Sequence, residues 1–269
     1  MRAAHCSVTA ALDATEAAAL DASATLLAED GLPGALDPAA EVPGAVCVLA
    51  NPADGEIDPV RLVRGLAAPH AERIFEDQPV VAVEDGENSA TAHLRDASIT
   101  TGAVVLATNA WTAQLLPGIP IEPIRAQMLA SAPAPPVVPR PVYADWGHRY
   151  WRQRDDDSVL VGGFRDRALV TEVGYELTTT DVVQAHLEEQ LRVLGVTTPV
   201  THRWAGTMGF SADGLPLVGL PPRYTRVHVC AGYTGHGMGF AVNAATVLAE
   251  RIVDGRAPPA WLNAARFPA

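Results

Sequence analysis

The spacing of apolar and polar residues changes several times along the chain and predicts a mixture of helices and strands. Residues 10–29 are rich in alanine and predict a helix, whereas residues 31–56 carry four prolines and predict irregular structure. Asp58 followed by Pro59 is typical of a helix start, because the carboxylate caps the first turn and proline needs no hydrogen-bond partner there. The apolar positions of this second helix form one stripe, made of Leu62, Val63, Leu66, Ala67 and Ile74.

Short apolar runs bounded by glycine, proline and acidic residues predict β-strands elsewhere. A hairpin is expected over Asp85 and Gly86, and a turn of three aspartates, residues 155–157, joins two later strands. Residues 133–141 are rich in proline and predict a stiff connection where the chain crosses between domains. Asp181 is expected to cap a further helix. The predicted strands are residues 79–83, 92–95, 103–107, 149–152, 159–163, 199–207, 215–219 and 226–231.

A strand, a glycine-rich turn and a helix follow one another near the C-terminus. Glycines recur at positions 232, 235, 237 and 239, and an alanine-rich helix continues to about Asp254. We name residues 232–237 the glycine turn. Glycine lets the backbone approach a flat or phosphorylated ligand closely, and the free N–H groups of the helix's first turn favour negative charge. The alternative is a turn that only packs the helix on the strand. The helix is expected to bury Ala241, Ala244, Ala245, Leu248 and Ile252.

Composition narrows the classes of protein. The 269 residues are 48% hydrophobic and carry a net charge of −12, which favours a packed core and argues against nucleic-acid binding. No apolar run approaches the length of a membrane span. Three widely spaced cysteines predict free thiols and a cytoplasmic location, and the histidine spacing predicts no metal site. All 19 basic residues are arginine, so no lysine is available as a base or an oxygen-activating cation.

Four stretches together resemble one family of enzymes. In chain order they are residues 55–66, G-E-I-D-P-x-x-L-V-x-G-L; residues 103–111, AVVLATNAW; residues 203–219, which read RWAG and then SADGLPLVG; and residues 231–239, AGYTGHGMG. In this order and spacing they resemble the FAD-dependent oxidoreductases of the D-amino-acid oxidase, glycine oxidase and sarcosine oxidase superfamily. The likeness covers nearly the whole chain from about residue 50.

The resemblance implies a fold, a reaction and a set of cofactor-binding residues. The fold is α/β of mixed α+β character, with an incomplete Rossmann-like FAD-binding domain in residues 1–120 and 208–269. An antiparallel or mixed-sheet substrate domain occupies residues 121–207. The implied reaction oxidises the C–N bond of an amine or amino acid by hydride transfer to FAD. By position, the residues expected at the cofactor are Val80, Ala107, Thr108, Asn109, Asp213, Gly232, Gly235, His236, Gly237 and Met238.

The chain departs from the family at its N-terminal end. Family members begin with a strand, G-x-G-x-x-G and a helix, and no such unit lies before residue 60. We therefore interpret the chain as the C-terminal part of such an oxidase, through a gene start placed too late, a split subunit or a degenerate remnant that holds no FAD. Besides a small amine or amino-acid substrate, the expected partner is the missing segment or a second subunit.

Two single positions also differ from the family and bear on its chemistry. Gly206 stands where sarcosine oxidases carry the cysteine that links FAD, so non-covalent FAD is expected. Met208 stands where glycine oxidases carry the arginine that pairs with the substrate carboxylate, which argues against a simple amino acid held in the same way. Because no lysine is present to activate oxygen, a different electron acceptor is an open alternative.

The candidate catalytic residues are Tyr150, Arg152 and His236. Tyr150 and Arg152 alternate with Trp151 on a predicted strand and therefore share one face. That face lines the substrate cavity, with Arg152 as a carboxylate clamp, or it is a solvated sheet surface. Arg165 is a second candidate for the clamp. His236 contacts flavin or substrate, or it is a surface histidine at a turn.

Overall fold

The computed structural model describes residues 6–38 and 41–268. Its strands are β1 Ser7–Ala11, β2 Ala35–Pro38, β3 Cys47–Asn51, β4 Val80–Asp85, β5 Ala90–Leu94, β6 Ser98–Thr101, β7 Val104–Leu106, β8 Ile121–Pro133, β9 Val142–Ala144, β10 Arg149–Gln153, β11 Ser158–Gly163, β12 Val200–Ser211, β13 Leu217–Gly219 and β14 Val227–Ala231. Its α-helices are α1 Ala14–Glu29, α2 Pro59–Ala67, α3 Thr112–Leu115, α4 Asp181–Val193 and α5 Gly237–Asp254. Short 3₁₀ helices include Asn109–Trp111, Arg165–Ala168 and Ala264–Arg266.

The described residues divide into two compact units. The first unit draws on Met1–Asp58, Arg125–Glu172 and Glu176–Gly206, and the second unit on Pro59–Ile124, Val173–Tyr175 and Thr207–Ala269. Residues 7–58, which the sequence places in the FAD-binding domain, therefore cluster with the unit that holds residues 125–172. Residues 133–141 lie within the first unit, so the expected crossing between domains at that point is wrong. The roles of the two domains stay a prediction.

An eight-stranded sheet runs through the first unit in the order β12-β8-β11-β10-β9-β1-β3-β2. β1 pairs with β9 in parallel and with β3 in antiparallel fashion, so the sheet is mixed. One of its faces is apolar and packs against α4. Thr180, not Asp181, is the N-cap residue of that helix, which therefore starts one residue earlier than predicted. The buried side chains of this face include Leu129, Trp151, Val159, Val161, Val183, Leu187 and Leu191.

Two three-stranded sheets and α5 form the second unit. β14 is parallel to β7 and antiparallel to β13, and all five of its residues are buried. On one side of this sheet Cys230 packs beneath α5 with Ala244 and Leu248. β7 ends the order β13-β14-β7, so one of its edges pairs with no strand of the described chain. The other sheet has the order β4-β5-β6.

Several local predictions are confirmed. The hairpin over Asp85 and Gly86 is the pairing of β4 with β5, and the turn at residues 155–157 joins the antiparallel pair β10 and β11. The last helix ends at Gly255, whose φ of +72° is the left-handed conformation that favours glycine. Each of these features depends on residues that are close together in sequence, because the residue types of a turn or helix cap determine its local conformation.

The helix predicted over residues 10–29 is confirmed for residues 14–29, but its predicted start and the irregular structure predicted for residues 31–56 are wrong. Residues 7–11 form β1 in the middle of the large sheet, and α1 starts only after Asp13, whose side chain accepts a hydrogen bond from the Glu16 N–H at 2.8 Å. Residues 31–56 are not irregular throughout, because β2 and β3 form an antiparallel pair there. Strand partners far along the chain, such as β9 for β1, override the local preference for helix.

The apolar faces predicted for two helices are largely exposed. Val63 and Leu66 of α2 are 59% and 60% exposed, and none of the residues of this helix is buried. α5 buries Ala244 and Leu248, whereas Ala241, Ala245 and Ile252 are exposed. The periodic spacing of apolar residues shows which side of a helix is apolar. In the described chain, no other helix or strand covers these two sides.

Features that would place the chain in other classes are absent from the described residues. No helix there is long and apolar enough to cross a lipid bilayer. The same residues contain no group of three or more His, Cys, Asp or Glu side chains that could hold a metal ion. Cys6, Cys47 and Cys230 are free thiols, and Cys230 is buried.

Candidate functional site

The glycine turn joins the end of β14 to the start of α5. Gly232, Thr234 and Gly235 have φ angles of +78°, +51° and +85°, and this left-handed run reverses the chain. A Cβ at Gly232 would lie 3.0 Å from the Leu217 Cδ1 atom, so this position has no room for a side chain. A Cβ at Gly235 would lie 3.6 Å from the Met208 sulfur, so there the requirement for glycine comes from the backbone conformation.

Hydrogen bonds hold the glycine turn against two other segments of the second unit. The Gly232 N–H donates to Asn109 Oδ1 at 3.1 Å, and the Thr234 N–H donates to the Gly209 carbonyl oxygen at 2.8 Å. The Thr234 hydroxyl accepts a hydrogen bond from the Ser211 N–H at 3.2 Å. Residues from three of the four stretches that carry the family resemblance therefore meet at one place.

The first turn of α5 offers free hydrogen-bond donors. His236 is the N-cap residue, and its carbonyl oxygen accepts the Gly239 N–H at 3.1 Å. Within the described part of the chain, no acceptor is recorded for the N–H groups of Gly237 and Met238. The His236 ring is exposed, and its Nδ1 atom lies 2.9 Å from the Thr234 carbonyl oxygen, to which it donates. The amides and the helix dipole together place positive potential at this point.

These residues fit the flavin ring of FAD but not its pyrophosphate. A flat ring that gains negative charge needs amide donors and open space beside it, and a Cβ built on Gly239 meets no atom within 4 Å. A pyrophosphate needs a glycine-rich turn at the start of another helix, and the sequence contains no G-x-G-x-x-G. The contact of the glycine turn with the flavin ring stays a prediction.

Asp213 is held by the C-terminal segment of the second unit. Its carboxylate accepts hydrogen bonds from Arg266 Nε at 2.7 Å and Nη2 at 2.9 Å, and from the Leu215 N–H at 3.1 Å. The bonds from Arg266 outweigh burial and lower the pKa of Asp213 to about 2. The carboxylate is thus ionised at neutral pH and engaged with Arg266, and its proximity to FAD stays a prediction.

The other predicted cofactor residues lie at strand ends. Ala107 and Thr108 follow β7 and are exposed, and the hydroxyls of Thr108 and Thr112 lie 2.9 Å apart. Val80 is the first residue of β4, in the other sheet of this unit, and is 37% exposed. Contacts of Val80, Ala107 and Thr108 with FAD stay predictions.

Tyr150 projects from the face of β10 opposite the buried Trp151. Its ring lies over Gly162, where a Cβ would be 2.1 Å from the ring carbon Cε2. Burial raises the pKa of Tyr150 to about 12, with a further contribution from Tyr143 and an opposing one from the positive charge of Arg165. The phenol is therefore a neutral hydrogen-bond donor over the whole physiological range.

Arg152 shares this face of β10 but already has partners. Its Nη1 atom donates to the Ile57 carbonyl oxygen at 3.2 Å and lies 3.4 Å from Glu56 Oε2. A substrate carboxylate must compete with Glu56 for this guanidinium. Arg165, the second candidate for the clamp, is half-buried at the start of a 3₁₀ helix.

A buried polar network in the first unit was not predicted. Arg125 Nε and Nη2 donate to the two carboxylate oxygens of Glu172, both at 2.9 Å, and Gln127 Nε2 donates to the same oxygens at 3.0 Å. Burial alone would raise the pKa of Glu172, but these bonds outweigh it and lower the pKa. Gln127 Oε1 accepts the Thr180 N–H at 2.9 Å, which ties β8 to the start of α4. The polar residues at alternate positions of β8 were the one available signal.

Asp85, which the sequence shows only as a turn residue, also holds two segments of the second unit together. Its carboxylate accepts the N–H groups of Thr225, Arg226 and Val227 at 2.8, 2.7 and 2.9 Å. Burial alone would raise the pKa of Asp85, but these backbone bonds outweigh it and lower the pKa. They fix the hairpin of β4 and β5 to the start of β14, the strand that leads into the glycine turn.

Proteins with similar sequences point to one family. The family model described as "DAO: FAD dependent oxidoreductase" matches residues 3–251. Glycine oxidase of Pseudomonas aeruginosa is 31% identical over 163 residues, which is 58% of this chain and 42% of that protein. Glycine oxidase of Pseudomonas putida is 30% identical over 151 residues, or 53% of this chain and 39% of that protein. The match thus spans about four tenths of the length of these curated relatives.

Solved structures share the fold. L-proline dehydrogenase from P. horikoshii has a TM-score of 0.84 at 23% identity, over 98% of this chain and 77% of that one. Glycine oxidase from Geobacillus kaustophilus has a TM-score of 0.84 at 16% identity, over 99% of this chain and 76% of that one. L-amino acid deaminase from Proteus vulgaris has a TM-score of 0.77 at 16% identity, over 98% and 73%. These matches confirm the predicted mixed α/β fold class.

The family match, the shared fold and the glycine turn agree with the resemblance seen in the sequence. The family model covers most of the chain, and the enzymes of this family depend on FAD. The chain therefore belongs to the DAO family of FAD-dependent oxidoreductases.

Proposed function

We propose that the chain is part of an enzyme that oxidises the C–N bond of an amino acid or related amine with non-covalently bound FAD. One observation carries the proposal: two free amide donors at the positive end of α5 adjoin a glycine turn with open space beside Gly239. Membership of the family supports FAD. Similar proteins named glycine oxidase, L-proline dehydrogenase and L-amino acid deaminase support an amino-acid substrate.

The residues of the second unit have distinct roles in this proposal. When bound, FAD supplies the two-electron acceptor for the C–N bond. The amides at the start of α5 stabilise negative charge on an oxygen placed beside them, because their dipoles are fixed before the reaction. Asp213 shapes its turn through Arg266, and Gly206 provides no thiol for a covalent link. The residues proposed to contact the cofactor are Val80, Ala107, Thr108, Asn109, Gly232, Gly235, His236, Gly237 and Met238.

Residues of the first unit are proposed to contact the substrate. Tyr150 provides a neutral phenol donor, and Arg152 provides a guanidinium for a carboxylate once that carboxylate displaces Glu56. His236, which belongs to the second unit, is the third proposed substrate contact, through its exposed ring. The proposal leaves two electron acceptors open, oxygen or a different compound.

The domain roles follow from these contacts. In the sequence-based assignment, we keep the cofactor role for residues 59–120 and 208–269 and the substrate role for residues 121–207. The fold groups residues 7–58 with the first unit. Three free cysteines support a location in the reducing cytoplasm.

Stable FAD binding is proposed to need one more element, a strand, a G-x-G-x-x-G turn and a helix. The free edge of β7 carries backbone N–H and C=O groups that a further parallel strand would satisfy. The exposed apolar side chains of α2, including Val63 and Leu66, support the same conclusion, since a covering element would bury them. The element is a segment of the same polypeptide or of a second subunit.

An FAD titration tests the proposal. The chain is purified alone and with a co-expressed strand–G-x-G-x-x-G–helix polypeptide, and flavin fluorescence and the visible spectrum are recorded. We expect tight binding in the second case and its loss in Gly235→Val. Gly118→Val is the matched control, because Gly118 also has a left-handed φ, of +93°, and open space but is not part of the glycine turn. A complex that remains colourless in every form contradicts the proposal and favours a remnant that binds no FAD.

A further inference from the structure

Asn109 occupies an unusual backbone position directly beside the glycine turn. Its φ of +43° lies in the left-handed region, which asparagine tolerates better than most residues. The side chain is not directed to solvent, because its Oδ1 atom accepts the Gly232 N–H at 3.1 Å. The residue follows β7 at the start of a 3₁₀ helix, so its side chain links the end of one strand, β7, to the end of the neighbouring strand, β14.

Neighbouring residues pack closely around this hydrogen bond. Gly232 is buried, and a Cβ there would lie 3.0 Å from Leu217 and 3.3 Å from Ile121. On the other side, a Cβ at Gly209 would lie 2.7 Å from Asn109 Oδ1 and 2.9 Å from the Ala110 nitrogen. Asn109 Oδ1 is the acceptor that the structure shows for the N–H of the buried Gly232, and a buried donor that loses its acceptor is costly.

The same hydrogen bond influences the start of α5 through the turn. Gly209, which packs against Asn109, accepts the Thr234 N–H at 2.8 Å. The carbonyl oxygen of Thr234 in turn accepts a hydrogen bond from the His236 ring, and His236 is the N-cap residue of α5. Asn109 is thus connected through a short series of contacts to the amides proposed to face the flavin.

We propose that Asn109 is a positioning residue, which holds the glycine turn in the shape that directs the amides of α5 toward the flavin. The inference rests on the proposed function for its flavin part. It adds a role for the Asn109 side chain to the proposed position of this residue beside FAD, because Oδ1 accepts the Gly232 N–H.

Amide hydrogen exchange of the flavin-free protein tests the positioning role directly. Asn109→Gly keeps the left-handed backbone but removes the acceptor, whereas Asn109→Asp keeps both. We expect exchange of the Gly232 N–H to accelerate about tenfold in Asn109→Gly, as for loss of one buried hydrogen bond, and to stay close to the original rate in Asn109→Asp. Asn263→Ala is the matched control, since the Asn263 side chain accepts the Ala265 N–H at 3.0 Å elsewhere in this unit.

FAD binding provides a separate readout. With the complementing polypeptide present, Asn109→Gly is expected to weaken FAD binding about tenfold and shift the visible flavin bands, and Asn109→Asp to restore both. Unchanged Gly232 exchange in Asn109→Gly, or unchanged flavin affinity and spectrum, overturns the inference. If the unsubstituted protein binds no FAD in any form, the proposed function fails, and the exchange comparison still decides whether Asn109 holds the turn.

Discussion

Replacing Asp213 with asparagine separates a structural role from contact with FAD. The substitution removes the charge that Arg266 contacts at 2.7 and 2.9 Å while preserving the size of the side chain. A pKa lowered from 3.8 to about 2 corresponds to about 2.4 kcal/mol of stabilisation, at about 1.4 kcal/mol for each tenfold change in acid constant. The Asp213 side chain is 35% exposed, so solvent screening reduces the expected loss to about 1 kcal/mol.

The free energy of unfolding from urea titrations between pH 7 and pH 2 measures this loss. Because the folded pKa lies below the unfolded one, the stabilisation is complete above pH 4 and declines as the pH falls toward 2. Asp213→Asn should therefore differ from the original protein at pH 7 and converge with it near pH 2. A double-mutant cycle with Arg266→Gln should give a coupling of about 1 kcal/mol, and Asp96→Asn, at an exposed position, serves as the control.

The outcome that refutes this reasoning is specific. If Asp213→Asn is as stable as the original protein at pH 7, or the double-mutant cycle shows no coupling, the ion pair with Arg266 does not hold this turn. Weakened FAD binding without any loss of stability would instead favour direct contact of Asp213 with the cofactor.

Three further predictions follow from the geometry. Gly239→Leu should weaken FAD binding at least tenfold, because the leucine side chain enters the open space beside the turn, and fluorescence titration measures this loss. The same substitution should stabilise helix α5 by about 0.8 kcal/mol, because leucine is a better helix former than glycine, and thermal unfolding measures this gain. Glu172→Gln should destabilise the first unit by about 3–5 kcal/mol, since Arg125 loses its buried counter-charge, as measured by urea unfolding. Asp85→Asn should cost about 2 kcal/mol at neutral pH and progressively less as the pH falls, since the folded pKa is lowered, and a pH series of melting curves checks this.

Matched variants keep these tests decisive. Gly65→Leu is the control for Gly239→Leu, because Gly65 also lies in a helix with open space around it, and unchanged FAD binding in Gly239→Leu contradicts the assigned ring position. For Glu172→Gln the control is Glu189→Gln in an exposed ion pair, where little change is expected. A loss in Asp85→Asn that is the same at every pH would show that the charge of the carboxylate is unimportant.

The sequence predicted those parts of the fold that short-range chemistry decides. The hairpin over Asp85 and Gly86 and the end of α5 at Gly255 depend on residues that are neighbours in sequence. The glycine turn was recognisable because strand, glycines and helix follow one another without interruption. β1 was missed because its strand partners, β3 and β9, lie about 40 and 135 residues further along the chain.

The interactions that hold the site together were harder to predict. The hydrogen bond between Asn109 and Gly232 joins residues 123 positions apart, and that between Arg125 and Glu172 joins residues 47 apart. Neither pair has a spacing that marks it, since only the folded chain brings the partners together. The exposed face of α5 illustrates a different limit, because an apolar stripe at Ala241 and Ala245 does not specify which element covers it.

The position of Cys230 gives the protein a built-in chemical reporter. Its thiol is buried below α5, 3.1 Å from the hydroxyl of Tyr233, and burial raises its pKa. Iodoacetamide, which reacts with thiolates, therefore alkylates Cys230 only when α5 separates from the sheet. Cys6 and Cys47 are only partly buried, so their alkylation does not require this opening. The alkylation rate of Cys230 consequently measures how often α5, the helix that follows the glycine turn, opens, and the measurement needs no flavin in the sample.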